Sequence, residues 1–230
     1  MFKLVVLLFT ALVFATSVPE VKVAGAMRNI MMHGDLSAHV SLDTLNKSHL
    51  YGLGPVAGLK GELVIIAGNV YSSARDGKAL SNQQNKISEA AMLVYSNVKK
   101  WKAVSVTAGV QDYAGLEQIV KQTAEKAGYD TDKPFAFRIE AAPQQTAFHV
   151  IHWKEGAEHT MDNHKQFAYT DSLKNKVVEM LGFYSTKHKS IFTHHTTNMH
   201  IHTLNKSTGV VGHLDGLQIR GSITLYLPEQ

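Results

Sequence analysis

Met199-His200-Ile201-His202-Thr203, followed by Gly212-His213, is the part of the sequence whose residue types and spacing most directly suggest chemistry. On a β-strand, residues two apart project to one face, so the His200 and His202 imidazoles can both reach one ion at about 2.0–2.1 Å. Ile201 then points the other way, into apolar packing. Asn205-Lys206-Ser207-Thr208-Gly209 is turn-like, which lets Val210-Val211-Gly212-His213 return as an antiparallel partner and set His213 beside the first pair. Three imidazoles with an open fourth position describe a catalytic zinc site, where the ion acts as a Lewis acid. Two solvent-facing histidines on an edge strand would give the same H-x-H pair, so spacing alone leaves metal binding and an ordinary surface pair level.

The wider composition narrows the choice of metal ligands. The 230-residue chain has 13 histidines and no cysteine, which excludes disulfides, thiolate zinc sites, iron–sulfur clusters and a cysteine nucleophile. Any metal must be held by imidazole and carboxylate. His194 and His195 are adjacent and project oppositely on a strand, so they read as residues beside the site or at the surface. His33, His39, His49, His159, His164 and His188 are scattered and read as ordinary surface or partly buried residues. The formal charge is +4, but the lysines are dispersed with no run beyond Lys99-Lys100, so a solvated mixed surface is expected and no nucleic-acid partner.

Residues 1–17 read as a signal peptide: Lys3, an apolar stretch from Leu4 to Ala15, and small residues at Ala15 and Ser17 before a cleavage point at Val18. The stretch is too short to cross about 30 Å of hydrocarbon, so an exported, periplasmic or secreted, product without a stable membrane anchor is expected.

The elements that must position the histidines are mostly strands. Glu62–Ile66 and Val70–Ala74 flank Ala67-Gly68-Asn69 as a hairpin, and Arg75-Asp76-Gly77-Lys78 reads as a second turn. Ala91–Tyr95 and Ala103–Val106 are short strand candidates. Leu116, Ile119, Val120 and Ala124 recur at helical spacing within residues 113–127, and Gly128 supplies a stop. Phe135-Ala136-Phe137-Arg138-Ile139 is a strand that places Arg138 opposite Phe135, Phe137 and Ile139. Phe148–Trp153 is another β-type run, and strands continue from Val177 to Leu227. With no linker, residues 18–230 form one domain, possibly as two closely packed halves at about 18–130 and 131–230.

The block His200-Ile201-His202, with His213 eleven positions after His202 in Gly212-His213-Leu214-Asp215, resembles the α-acetolactate decarboxylases, whose zinc site has the same order. Earlier blocks follow that family's sequence too. Met27–Gly34 resembles its N-terminal stretch, and Gly52-Leu53-Gly54 with Leu59-Lys60-Gly61-Glu62-Leu63 is similar to its G-x-G…LxGEL segment. Asn69-Val70-Tyr71 with Arg75-Asp76-Gly77 resembles its next strand and turn, and Pro134-Phe135-Ala136-Phe137-Arg138-Ile139 its F-x-x-R-I strand. The resemblance spans roughly residues 23–228.

The resemblance implies an α+β fold with a mixed β-sheet half and a barrel-like, β-rich C-terminal half carrying a three-histidine zinc site, and a homodimer. It implies zinc-dependent, non-oxidative decarboxylation of 2-acetolactate, a 2-hydroxy-3-keto acid, to acetoin and CO2. His200, His202 and His213 would hold Zn2+, Arg138 would bind the carboxylate or another substrate oxygen, and Glu62 would act as acid/base or orient the substrate. Left to spacing, Arg138 would read as a surface ion pair and Glu62 as a solvent-facing strand start.

Three positions depart from the family. Pro55 stands where its members carry a threonine, and the family's later T-R pair is replaced by Phe148-His149-Val150-Ile151-His152-Trp153, making His149 or His152 a candidate for proton transfer. Family members also carry a tail glutamate that enters the active site, whereas Glu229 is too near the last strand to be assumed in that role. Two other readings compete: a non-catalytic exported zinc-binding protein, and a related lyase acting on another 2-hydroxy-3-keto acid.

Overall fold

The computed structural model describes residues 18–107 and 109–230; the signal peptide expected over residues 1–17 lies outside the described residues. The first part of the chain comprises β1 (Lys22–Ala24), α1 (Met27–His33), β2 (Val40–Ser41), β3 (Leu50–Pro55), β4 (Glu62–Ile66), β5 (Asn69–Asp76), β6 (Ala79–Gln84), β7 (Glu89–Ala90) and β8 (Leu93–Asn97). The rest comprises β9 (Trp101–Thr107), α2 (Tyr113–Lys126), β10 (Phe135–Ala141), β11 (Gln145–Val150), α3 (Met161–Phe167), β12 (Tyr169–Leu173), β13 (Val178–Tyr184), β14 (Met199–Asn205), β15 (Val210–Gln218) and β16 (Ser222–Pro228).

Local sequence accounts for the elements most firmly. The β4–β5 hairpin turns at Ala67 and Gly68, both with positive φ (48° and 85°), as a tight hairpin turn requires. In α2 the Asp112 side chain caps the first turn by accepting from the Gly115 N–H at 2.7 Å, and Leu116, Val120 and Ala124 form the buried stripe. The short helices α1 and α3, seven residues each, have no such stripe, so hydrophobic periodicity does not mark them.

Two sheets result, in the orders β1-β8-β3-β4-β5-β6 and β12-β11-β15-β14-β13-β10-β16-β9, with a small β2-β7 pair beside them. The α+β class expected from the resemblance holds. Every strand pairing in the smaller main sheet is antiparallel rather than mixed; short links fix this for β3-β4-β5-β6, since a parallel pair needs a crossover of a dozen or more residues, and β8 returns antiparallel to both β3 and β1. The larger sheet is open rather than barrel-like: β12 pairs only with β11 and β9 only with β16, so the two edges do not meet. Sheet membership changes between Asn97 and Trp101, since β9 completes the second sheet.

The larger sheet is covered on both faces. Phe135, Phe137, Ile139, Met199 and Ile201 pack with Leu116, Val120 and Ala124 of α2. Alternation along the same strands turns Leu181, Phe183, Leu204 and Val211 toward Tyr51, Leu53 and Val64 of the smaller sheet. His200 and His202 alternate with Met199 and Ile201, so they face the layer between the sheets.

Candidate metal centre

The histidine triad is assembled by register. In β13, β14, β15 and β11, Leu181 opposes His202, His202 opposes His213, and His213 opposes His149. Directly opposed residues share a face, and His200 lies two residues from His202 on that face. Gly212 allows the close approach of β11: a Cβ there would sit 2.2 Å from the Phe148 ring and 2.9 Å from the His149 carbonyl oxygen. The G-H dipeptide therefore joins a steric requirement to a functional side chain.

One ring nitrogen from each of His200, His202 and His213 lies within 4.8 Å of the other two, and His200 and His202 are buried. The Nε2 atoms of those two stand 3.1 Å apart. Two nitrogens bound to one tetrahedral ion at about 2.0–2.1 Å stand about 3.3 Å apart, so the pair already has the spacing of a shared metal. His202 Nδ1 donates to the Leu63 carbonyl oxygen at 2.8 Å, which turns the Nε2 lone pair toward the centre. Burial pushes all three imidazoles well below their ordinary pKa, with neighbouring histidines adding to the effect, so they are neutral and able to donate lone pairs. This donor set fits zinc: three neutral nitrogens, no thiolate, and room for a further ligand on the cavity side.

Glu62 is brought to the same centre. Its carboxylate lies 3.5 Å from His202 Nε2, and the side chain is buried at the start of β4. Desolvation raises its pKa to about 7, with the nearby His149 charge opposing, so the group exchanges a proton near neutrality. Pro55 opposes Glu62 across β3 and β4 and lines the same cavity.

Arg138 is not brought to the centre. It belongs to the same row of the sheet, opposite Leu181, but its Nε donates to Glu179 at 2.7 Å and its Nη2 to Glu140 at 3.0 Å. Tyr51, Trp101 and Tyr226 lie around the guanidinium with ring centroids 5.1–5.7 Å away. Its Nε and Nη2 are taken up by these carboxylates, and Arg138 does not line the cavity beside the triad. The two candidate proton carriers also separate. His149 lines that cavity, 4.8 Å from the His213 ring, while His152 does not. Burial alone would lower the His149 pKa, but its 2.7 Å hydrogen bond to Asp215 and that carboxylate's charge outweigh it and leave the pKa raised. Glu229 lies beside Lys100 at the β9–β16 end, away from the cavity.

Asp215 and Tyr113 are the site residues not assigned a role from sequence. Asp215 could have been found from its two-residue spacing after His213, which puts both on one face. Tyr113 begins α2, and its hydroxyl donates to the Met199 carbonyl oxygen at 3.1 Å, tying the helix to the triad strand; no local signal marks that long-range contact. The cavity above the triad has a volume of about 1000 Å³.

Residues 25–228 match the alpha-acetolactate decarboxylase family. No curated protein sequence matches the chain. Among solved structures, alpha-acetolactate decarboxylase from Bacillus subtilis strain 168 superposes with a TM-score of 0.75 at 14% identity, covering 91% of this chain and 86% of that one. A Staphylococcus aureus protein of unknown function, similar to alpha-acetolactate decarboxylase, gives a TM-score of 0.72 at 14% identity with the same coverages.

Proposed function

The chain belongs to the alpha-acetolactate decarboxylase family, and from that premise we propose that it is a zinc-dependent carboxy-lyase converting 2-acetolactate to acetoin and CO2. The observation that carries this reading is the convergence of three neutral imidazoles and the Glu62 carboxyl at the base of one cavity. His200, His202 and His213 would hold the ion. Bound there, zinc would supply Lewis acidity that lowers the cost of negative charge on the substrate's hydroxyl and keto oxygens.

The remaining roles belong to protein side chains. Decarboxylation breaks the bond between the carboxylate and its neighbouring carbon, leaves the electron pair on the hydroxy-keto unit, and requires one proton at carbon. Glu62, its pKa raised to about 7, can take a proton from the substrate hydroxyl and deliver one to the carbon, and a proton from solvent then restores the hydroxyl. His149, held by Asp215, presents its other ring nitrogen to the cavity and would bind the departing carboxylate, the task that Arg138 cannot perform while paired to Glu179 and Glu140.

The test is metal content and acetoin release, measured on one protein preparation with racemic acetolactate. Stoichiometric zinc with acetoin formation is expected. Stoichiometric zinc without acetoin or CO2 would instead leave a metal-binding protein.

A further inference from the structure

We propose that the preferred substrate carries an apolar chain longer than the methyl groups of acetolactate, and that a methionine wall above the triad receives it. This inference rests on the decarboxylase reading and extends it to substrate class. The cavity's volume of about 1000 Å³ is at the upper end of the roughly 300–1,000 Å³ of pockets that enclose drug-sized ligands. A five-carbon acid held at the triad would leave most of that space unfilled.

The lining shows what would fill the remainder. The sequence has 8 methionines, and Met27, Met31, Met32, Met92 and Met161 line this one cavity. Methionine side chains are apolar, unbranched and polarizable, so they adapt to flexible hydrocarbon chains better than to a small rigid acid. Met32 is 75% exposed and Met161 49% exposed; among the described residues only Val177 is also a large exposed hydrophobic. Two apolar side chains left in water at one cavity mouth mark a surface that a ligand covers.

The wall and the reaction centre are continuous. Glu62, His200 and His213 line the same cavity as the methionines, so one molecule can place its acid end at the triad and its chain along α1 and α3. Arg28 and Lys165 stand on those two helices at the cavity, and among the described residues neither has a carboxylate within 4.0 Å.

The experiment uses 2-hydroxy-2-methyl-3-oxo acids whose acyl group lengthens from acetyl to octanoyl, with CO2 release followed on the zinc-loaded protein. In each case the carboxylate leaves as CO2 and one proton reaches the hydroxyl-bearing carbon. We expect kcat/KM to rise about fourfold per added methylene until the chain fills the wall. Binding of the corresponding 2-hydroxy ketones to metal-free protein, measured by calorimetry, should tighten over the same range. In the Met32→Ser/Met161→Ser double variant, whose changes lie at exposed positions, both slopes should flatten. Acetolactate as the best substrate, with falling rates and flat binding for longer acids, would overturn the inference while preserving the decarboxylase reading. Release of CO2 from no member of the series would overturn both.

Discussion

Arg138 and His202 occupy one row of the same sheet face, separated only by Leu181, yet their surroundings differ in kind. Around Arg138 the polar groups answer one another: Glu179 and Glu140 accept from the guanidinium, Lys206 also pairs with Glu179, and three aromatic rings close the remainder. Around His202 they do not. Two Nε2 atoms face each other, and beside them Glu62 is buried with its pKa raised by desolvation that the nearby His149 charge only partly offsets. A satisfied network is a structural device, whereas nearby polar groups all directed at one point describe a place that something else completes.

The comparison is broken or sharpened most strongly by His202→Ala. That change should abolish zinc binding and decarboxylation together, seen as loss of both bound metal and CO2 release; activity without the metal would mean the triad is as self-sufficient as the Arg138 network. Glu62→Gln should keep the metal and lose roughly 10²–10⁴-fold in kcat, the range of general acid–base catalysis. Arg138→Ala should do the reverse: about 3–5 kcal/mol of stability lost in denaturant titration, with zinc content unchanged. A stable Arg138→Ala protein that had lost turnover would return this residue to the substrate site.

The pH response sharpens the same contrast. Unfolded imidazoles bind protons near pH 6.5, but burial keeps the triad neutral in the fold and pushes His164 to about 4. The unfolded chain then takes up more protons as pH falls, so these groups favour folding above pH 6.5 and withdraw that support below it. Glu62 and His149, both raised, act oppositely, with Glu62 costing stability as pH rises from 4.5 to about 7. Four groups outweigh two, and the metal-free protein should melt at a lower temperature at pH 5 than at pH 7 by scanning calorimetry. The smallest effect is expected for His152→Gln, which should change kcat/KM by less than about twofold because it lies outside the cavity.

The two regions also differ in how far the sequence revealed them. The triad was legible because a strand period of two and one hairpin suffice to gather His200, His202 and His213. The side of β10 on which Arg138 projects was legible by the same alternation. Its partner Glu179 was not, because the pairing depends on the register between β10 and β13, which no local pattern fixes. The cavity wall was hidden for a related reason. Its methionines come from α1, α3 and the residue before β8, and helices of seven residues carry too few turns for a periodic stripe. That β9 pairs with β16 at the edge of the larger sheet is a tertiary choice invisible in its own seven residues.

The most direct test of the central claim is a zinc titration of metal-free protein, with CO2 release from acetolactate and bound zinc measured at each addition. The account predicts no activity at the start, a linear rise to one zinc per chain, and a plateau thereafter, with His202→Ala silent throughout. Full activity before any zinc is added, or no activity after one equivalent has bound, would contradict it.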